Sequence, residues 1–211
     1  ARTVAEAFGT DHHEILIDAG EGMKLLPRMI WHSETPKVNL YSWFVNEAAS
    51  KHVKVCLSGL GGDELFCGYA NTSRFAHARR IQSLIRFRRL APIAALLPSR
   101  RAKFASSLQS EKAAYASLIT GFPDPEVSES VKTGVAPYFA EHHDFVQQMI
   151  RCEFHTKLPY DYLLVEDAMS MAHTLEVRVP LLDGDLLQLM LGVPYKYQMT
   201  GDTGKLLLRS A

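Results

Sequence analysis

Residues 53–69 decide the fold of this chain, and they read Val53-Lys54-Val55-Cys56-Leu57-Ser58-Gly59-Leu60-Gly61-Gly62-Asp63-Glu64-Leu65-Phe66-Cys67-Gly68-Tyr69. The stretch opens with a β-branched and apolar run, turns at small residues, and resumes with an acidic pair before a segment suited to a helix. This order predicts a strand, a loop and a helix. The loop glycines leave the backbone free to direct several N–H groups into one concavity, and the helix N-terminus adds its positive dipole end. Such a loop suits a phosphate or a pyrophosphate.

Asp63 stands at the mouth of this loop, and its position supports two interpretations. A carboxylate there can hold the Mg²⁺ that accompanies a polyphosphate, because hard oxygen ligands suit that ion. Alternatively, the loop is a flexible turn before a helix, and Asp63 and Glu64 only complement the helix dipole. The loop by itself leaves both interpretations open.

Three ordered blocks of the sequence resemble the synthetase domain of the asparagine synthetase family. Residues 58–69, Ser-Gly-x-Gly-Gly-Asp-Glu-Leu-Phe-x-Gly-Tyr, are similar to that domain's second pyrophosphate-contacting loop. Residues 167–183 are similar to the family signature and read Asp-Ala-Met-Ser-Met-Ala-His-Thr-Leu-Glu-Val-Arg-Val-Pro-Leu-Leu-Asp. Residues 201–209, Gly-Asp-Thr-Gly-Lys-Leu-Leu-Leu-Arg, resemble the segment that carries the family's catalytic lysine. The resemblance covers most of the chain and is weakest between residues 71 and 157.

The resemblance implies an α/β fold of the PP-loop ATP pyrophosphatase superfamily. This fold is a parallel sheet flanked by helices, of the adenine nucleotide alpha hydrolase-like or HUP-like type, with a helix-rich C-terminal part. The pattern of the residues agrees, since a strand, helix, helix, strand order fits a parallel sheet with a ligand site at a strand's carboxyl end. The expected fold is therefore a nucleotide-binding α/β domain.

The resemblance also implies that residues 1–211 are one part of a synthetase domain. A glutamine-hydrolysing domain and a Ser-Gly-Gly-x-Asp-Ser loop would precede this part, and no Ser-Gly-Gly occurs in the sequence. The chain begins without Met, in what reads as the tail of a helix ending at Gly9. We therefore expect a fragment that is inactive when isolated, and we expect the full protein to form a homodimer.

The chemistry implied by the resemblance is the ATP-dependent amidation of L-aspartate. In the family, the aspartate side-chain carboxylate attacks the α-phosphate of ATP, pyrophosphate leaves, and ammonia from the glutaminase domain displaces AMP. Asp63 would hold Mg²⁺ and act in catalysis, and Lys205 would set its flexible, compact ammonium over the phosphates and the acyl oxygen. The phosphate oxygens would be bound by Ser58, Gly59, Gly61 and Gly62. The alternative for Lys205 is an ordinary solvated lysine at a helix start.

The segment around residues 175–179 is a candidate border of the substrate pocket. Glu176 and Arg178 alternate with apolar residues, so they would point together from a strand and could pair or grip a zwitterionic substrate. By resemblance, this segment and Asp167 border the aminoacyl-adenylate pocket. Asp183 is expected to cap the next helix, at residues 184–191.

One departure from the family bears on the second half of the reaction. Asparagine synthetases commonly carry Glu where this chain has Leu60, and that carboxylate is usually assigned to the amidation step. Leucine cannot act as an acid, a base or a hydrogen-bond partner. Two alternatives therefore stand beside the amidation of aspartate. The same adenylation chemistry could act on another carboxylate, as in enzymes that close β-lactam rings, or the domain could have lost catalysis and serve as a binding or assembly module.

Residues 61–64 also match the Gly-Gly-Asp-Glu motif of cyclic-dinucleotide synthases. That interpretation is disfavoured because the motif in those enzymes is a hairpin turn without these flanking blocks.

Composition limits the partners of the chain. With 211 residues and 47% hydrophobic content it can bury a substantial core. Lys plus Arg and Asp plus Glu both total 23, so no charge imbalance favours nucleic acid or a membrane. Its three cysteines form no C-x-x-C pair, which favours a reducing, cytoplasmic setting. Residues 71–110 carry no acidic residue and many arginines, and we interpret them as a solvated basic face rather than an anion-binding surface.

Three further elements are predicted before the loop. Residues 12–18 read as a short strand with His12 and His13 on opposite faces, so that the two histidines could not chelate one ion. Residues 21–31 have helical spacing, with Pro27 either near a first turn or at a break. Residues 40–50 form a second helix. His142, His143 and His155 lack zinc-like neighbours and are not expected to bind metal.

Overall fold

The computed structural model describes residues 1–37, 39–73, 76, 115, 130–131, 133–139 and 144–211. These residues divide into two compact units, one made of Ala1–Ser58 and Tyr160–Arg178 and the other of Gly59–Pro159 and Val179–Ala211. The basic side chains of residues 74–103, together with His142 and His143, lie outside the described residues.

We number the helices and strands in chain order over the described residues. The strands are β1 (Val55–Leu57) and β2 (Glu176–Arg178). The helices are α1 (Arg2–Phe8), α2 (Ala19–Ser33), α3 (Ser42–Ser50), α4 (Gly62–Leu65), α5 (Phe145–His155), α6 (Leu164–Met171), α7 (Gly184–Gly192), α8 (Tyr195–Gln198) and α9 (Leu206–Ser210). Short 3₁₀ turns span Ala136–Tyr138 and Pro180–Leu182, and a π-helical turn, Leu158–Leu163, precedes α6.

The first unit contains the sheet. Strands β1 and β2 run parallel with Cys56 opposite Val177, and the Ser58 N–H extends the pairing by donating to the Arg178 carbonyl at 2.8 Å. Helices α2, α3 and α6 pack around a core that has Trp43 at its centre and also contains Met29, Leu40, Phe44, Val165 and Met169. A helix-rich α/β unit with a parallel sheet of two strands results, which confirms the expected fold class at this level of detail.

The second unit is built around helix α5. Asp144 caps this helix, because its side chain accepts from the Val146 N–H at 3.0 Å. Apolar side chains at helical spacing then bury one face, which includes Val146, Met149 and Ile150. Among the described residues of this unit, two hydrophobic clusters are buried, one of Cys67, Val146, Ile150 and Met199 and the other of Leu65, Phe66 and Met190.

Several predicted elements are confirmed. The helices expected at residues 21–31 and 40–50 correspond to α2 and α3. Gly9 ends α1 with a left-handed backbone at φ 63°, and Asp183 caps α7 by accepting from the N–H groups of Asp185 and Leu186. Pro27 neither starts nor breaks α2, because the helix continues through it for a full 15 residues.

The strand predicted at residues 12–18 is wrong, since these residues have no regular structure. A strand needs a paired neighbour, and the polar residues here have local partners instead. Glu14 pairs with Arg2 and His12, His13 lies 3.3 Å from Asp11, and Asp18 caps α2. The two histidines thus have separate carboxylates. Among the described residues, no group of three or more His, Cys, Asp or Glu side chains could hold a metal.

Within the described ranges, no helix combines the length and the apolar character needed to cross a bilayer.

Candidate functional site

The glycine loop after β1 depends on Gly61 for its shape. Gly61 is buried and has φ 91°, a left-handed conformation that side chains rarely adopt. A Cβ at this position would also overlap the side chain of Leu182. At Gly59, by contrast, a Cβ would meet nothing within 4 Å. The turn therefore requires glycine at residue 61 for two independent reasons, whereas residue 59 lies beside open space.

The helix that follows the loop is only one turn long. Helix α4 covers Gly62–Leu65, and a helix this short adds only a weak dipole at the loop. The Gly62 N–H already donates to the Gly59 carbonyl at 3.2 Å. Gly62 instead contributes space, since a Cβ there would lie 3.1 Å from Leu181 and 4.0 Å from the Lys205 Nζ.

The structure brings together Asp63 and Lys205, which are distant in sequence. The Lys205 Nζ lies 3.0 Å from the Asp63 Oδ1, and both side chains are partly exposed, Asp63 at 41% and Lys205 at 30%. A partly exposed ion pair beside a glycine turn offers one anionic and one cationic group to a ligand. This is the pairing of groups that the sequence analysis expects at a polyphosphate site.

Lys205 reaches this position through a tight turn that docks on residues 66–68. An isolated bridge joins Thr200 and Thr203, and the Lys205 N–H donates to the Phe66 carbonyl at 2.8 Å. Gly204 packs so closely that a Cβ would overlap the carbonyl of Cys67. Lys205 itself has φ 59° and precedes α9. The backbone of the turn, and not only the lysine side chain, thus fixes where the ammonium lies.

Gly68 is a site residue that the sequence analysis misses. A Cβ at Gly68 would overlap the Asp63 carboxylate and the Lys205 side chain. The Gly68 N–H donates to the Asp63 carbonyl at 2.9 Å, which closes the segment back on itself. Two sequence signals point to Gly68: it is an isolated glycine just after a short helical pattern, and it is part of the motif at residues 58–69. Gly204 carries a similar signal, a glycine immediately before the candidate lysine.

The other predicted site residues lie in the first unit. Glu176 and Arg178 project together from β2, with the Arg178 Nε donating to the Glu176 Oε1 at 2.8 Å, and both are exposed. Asp167 is exposed in the first turn of α6. Ser58 belongs to this unit as well and is held by its hydrogen bond to Arg178. Glu176 and Arg178 therefore point together as expected and pair with each other, while their role toward a substrate stays a prediction.

Asp63 also fits the expected role as a Mg²⁺ ligand. Its carboxylate is accessible, whereas the neighbouring Glu64 carboxylate is buried and accepts a hydrogen bond from the Tyr69 hydroxyl at 2.5 Å. Mg²⁺ commonly binds one or two carboxylates and completes its shell with substrate phosphates and water. A single accessible aspartate beside the glycine turn is compatible with that requirement.

A glycine turn that ends at an aspartate–lysine pair, on an α/β fold, defines a candidate site for a metal-associated anion. Comparison with known proteins identifies the family of the chain. A family model described as asparagine synthase matches residues 1–211. The chain therefore belongs to the asparagine synthase family.

The relatives include glutamine-hydrolysing asparagine synthetases from several organisms. Asparagine synthetase 1 of Bacillus subtilis is 31% identical over an alignment that covers 100% of this chain and 36% of that protein. A putative asparagine synthetase of Mycobacterium bovis is also 31% identical, over 98% of this chain and 35% of that protein. Asparagine synthetase 2 of Oryza sativa is 37% identical over 33% of this chain and 13% of its own length. The chain thus spans about a third of the length of the relatives that it matches along its whole length.

Proposed function

We propose that this chain is part of the synthetase domain of an ATP-dependent amidotransferase, which adenylates the side-chain carboxylate of L-aspartate and converts it to asparagine. The proposal is supported by membership of the asparagine synthase family. The observation that carries it is the 3.0 Å pair of Lys205 and Asp63 beside the Gly61–Gly62 turn.

The first step proposed is an exchange of bonds at the α-phosphorus of ATP. A carboxylate oxygen of aspartate forms a bond to the α-phosphorus. At the same time the bond between this phosphorus and the oxygen that bridges to the β-phosphate breaks, and pyrophosphate leaves with the electron pair. Negative charge grows on the leaving group and must be stabilised. Lys205 would do so as a point charge, and the loop from Ser58 to Gly62 would receive the phosphates without side-chain obstruction.

Asp63 would hold the Mg²⁺ that accompanies the polyphosphate. When bound, the ion supplies positive charge that neutralises the phosphate oxygens. Asp63 also orients Lys205, because its carboxylate lies 3.0 Å from the ammonium. The two residues would thus divide the work of charge neutralisation at one place.

The second step proposed is the displacement of AMP. Ammonia bonds to the acyl carbon, the bond from that carbon to the AMP oxygen breaks, and a proton leaves the nitrogen. We propose that a glutamine-hydrolysing domain supplies the ammonia. A further phosphate-binding loop would complete the HUP-like domain. The full protein would be a homodimer in the cytoplasm. Glu176, Arg178 and Asp167 are proposed to recognise the amino acid.

Leu60 favours a second candidate function. Its half-buried alkyl side chain cannot take a proton from ammonia, whereas the adenylation machinery does not need residue 60. The same activation chemistry could therefore serve another carboxylate or amine. A third possibility, a domain without catalysis, predicts that neither nucleotide nor any carboxylate is turned over.

ATP–pyrophosphate exchange in the full-length protein separates these functions. Exchange stimulated by L-aspartate supports the leading proposal, and exchange only with another acid selects the second. Absence of exchange with every acid, together with no nucleotide binding, supports the third. The isolated 211 residues are expected to show no turnover.

Lys205→Met tests the proposed role of the lysine. Removing a cation that stabilises the leaving group should lower exchange by about 100-fold or more. Lys196→Met is the matched control, because Lys196 lies over the ring of Tyr197 and has no place in the proposed chemistry. Full exchange by the Lys205 variant would remove this residue from the mechanism.

A further inference from the structure

A partly buried charged cluster in the second unit includes Glu64, which follows Asp63 in the sequence. It contains Glu64, Tyr69, Glu153 and Lys157, and the two glutamates are only 4% and 5% exposed. The Tyr69 hydroxyl donates to the Glu64 Oε1 at 2.5 Å. The Lys157 Nζ lies 4.1 Å from the centre of the Tyr69 ring and 3.9 Å from the Glu153 Oε1. Neither Glu153 nor Lys157 belongs to the motifs by which the family resemblance is recognised.

The cost of burying two carboxylates explains why Tyr69 and Lys157 lie next to them. Burying a carboxylate is costly unless hydrogen bonds or opposite charges compensate. Burial raises the pKa of Glu153, the nearby Glu64 carboxylate raises it further, and Lys157 lowers it. Lys157 therefore stabilises negative charge in the cluster, and its position over the Tyr69 ring also favours the hydroxyl as a donor, since a cation withdraws electron density from the ring.

The Tyr69–Glu64 hydrogen bond joins the two ends of the segment that forms the site. Within this segment the Gly68 N–H donates to the Asp63 carbonyl at 2.9 Å, and the Phe66 carbonyl accepts from the Lys205 N–H at 2.8 Å. Gly68 has no room for a Cβ between Asp63 and Lys205. The distance between the Asp63 carboxylate and the Lys205 ammonium therefore depends on the path of residues 64–69.

We propose that Lys157 is a positioning residue for the Asp63–Lys205 pair and acts through the Tyr69 hydroxyl and the Glu64 carboxylate. This inference rests on the proposed function, because it assigns Lys157 an effect on that site. The described contacts of Lys157 are with the Tyr69 ring and the Glu153 carboxylate, and the Tyr69 hydroxyl is hydrogen-bonded to Glu64, the residue next to Asp63. The structure thus extends the machinery from the loop to the residues that follow α5.

A double-mutant cycle in the full-length protein tests this path. Lys157→Met keeps the aliphatic stem but removes the cation and should lower the kcat/KM for ATP in pyrophosphate exchange by about tenfold, as expected for a partly buried cation–π contact. The KM for L-aspartate should stay within twofold. Lys157→Arg should keep most of the wild-type kcat/KM, because arginine also stacks on an aromatic ring. Lys196→Met, which removes the cation over Tyr197, is the control and should match wild type.

The decisive comparison uses Tyr69→Phe, which keeps the ring and removes the hydroxyl. In that background Lys157→Met should change exchange by less than twofold, since the route to Glu64 is already cut. A full tenfold effect in both backgrounds would overturn the inference, and so would a Lys157→Met protein with wild-type exchange. Melting temperatures identify any variant that fails to fold, and Lys157→Arg then carries the test. If the wild-type protein lacks exchange altogether, the proposed function fails and this inference fails with it.

Discussion

Gly61 occupies a buried, left-handed turn against the side chain of Leu182. We expect Gly61→Ala to lower the free energy of unfolding by about 2–4 kcal/mol, because backbone strain and overpacking add at this position. Denaturant unfolding measures the change. Gly59→Ala is the matched control in the same loop, with open space around its Cβ, and it should cost less than about 0.5 kcal/mol. Equal costs for the two variants would contradict the assigned role of the turn.

Leu60 separates the two half-reactions of the proposed function. We expect Leu60→Glu to leave ATP–pyrophosphate exchange within a few fold of wild type and to raise amide formation per adenylate by about tenfold or more, because a carboxylate can accept the proton of the attacking amine. Product formation with ammonia as the nitrogen donor is the measurement. Leu60→Gln adds polarity and similar bulk without a useful base and serves as the control. A gain in the Gln variant as large as that in the Glu variant would exclude proton transfer as the reason.

At the residue scale, the sequence predicts side-chain relations that depend on local spacing. Glu176 and Arg178 point together because strand side chains alternate, and Asp183 caps α7 because aspartate suits that position. The meeting of Asp63 and Lys205 has no local signal and is expected only through the family resemblance. Gly68 and Gly204 escape prediction because their role lies in a close approach of backbones, which spacing does not encode.

Helix α7 illustrates the energetics of a single element. Asp183 accepts from the N–H groups of Asp185 at 3.1 Å and Leu186 at 3.4 Å. We expect Asp183→Ala to reduce the free energy of unfolding by about 0.5–2 kcal/mol through loss of this cap. Asp185→Ala, which removes an acidic residue of the first turn without removing the cap, should cost only a few tenths of a kcal/mol. Thermal unfolding of both variants checks the order, and a larger loss at residue 185 would contradict it.

Elements are predicted well where periodicity is long and poorly where it is short. Helix α2 follows from its apolar spacing even across Pro27, since packing against α6 supports the helix where one hydrogen bond is lost. The apolar run at residues 15–17 suggests a strand, but a strand also needs a paired neighbour. Among the described residues no strand pairs with this run, and the sequence gives no sign of that. The end of α4 also has no periodic signal, because the Gly68 N–H closes the segment on the Asp63 carbonyl after one turn.

At the scale of the whole molecule, the two units contain groups that respond to pH in opposite senses. In the first unit, burial lowers the pKa of His173. Its ring packs edge-on against Trp43 with centroids 4.3 Å apart, and its Nε2 has no hydrogen-bond partner among the described residues. The unfolded chain therefore binds a proton on the His173 ring more tightly than the folded unit does. The contribution of His173 to stability is present above its ordinary pKa of 6.5 and is lost as pH falls below it.

His173→Phe keeps the aromatic contact and removes the titration. We expect this variant to lose less stability than wild type between pH 7.5 and pH 5.5. Tryptophan fluorescence reports on the correct unit, because both tryptophans, Trp31 and Trp43, belong to it. Met171→Gln, a change at an exposed neighbour that does not titrate, should retain the wild-type dependence. Identical slopes for His173→Phe and wild type would refute the assignment.

In the second unit, the carboxyl of Glu153 gives stability the opposite dependence on pH. Its pKa is raised above 4.5, chiefly by burial, so the folded unit holds this proton more tightly than the unfolded chain. Stability from this group is complete below pH 4.5 and declines as pH rises through the raised value. We expect Glu153→Gln to be more stable than wild type at pH 8, with the difference shrinking at pH 5. Far-UV circular dichroism during denaturant unfolding measures it, and an unchanged or larger difference at pH 5 would contradict the sign.

These pH effects show what the sequence leaves out at the largest scale. Family, fold class and the order of motifs can be derived from the chain as written. The burial of Glu153 and His173 cannot, because it depends on which helices meet, and neither residue has an unusual sequence context.

The outer edge of strand β1 has a practical consequence for handling the protein. Val55 and Leu57 are 39% and 74% exposed, and among the described residues β1 pairs with β2 alone. An uncovered apolar strand offers N–H and C=O groups to any other extended chain. Preparations of these 211 residues by themselves should therefore associate edge to edge as concentration rises, and a charged substitution such as Leu57→Lys should keep them monodisperse in light scattering.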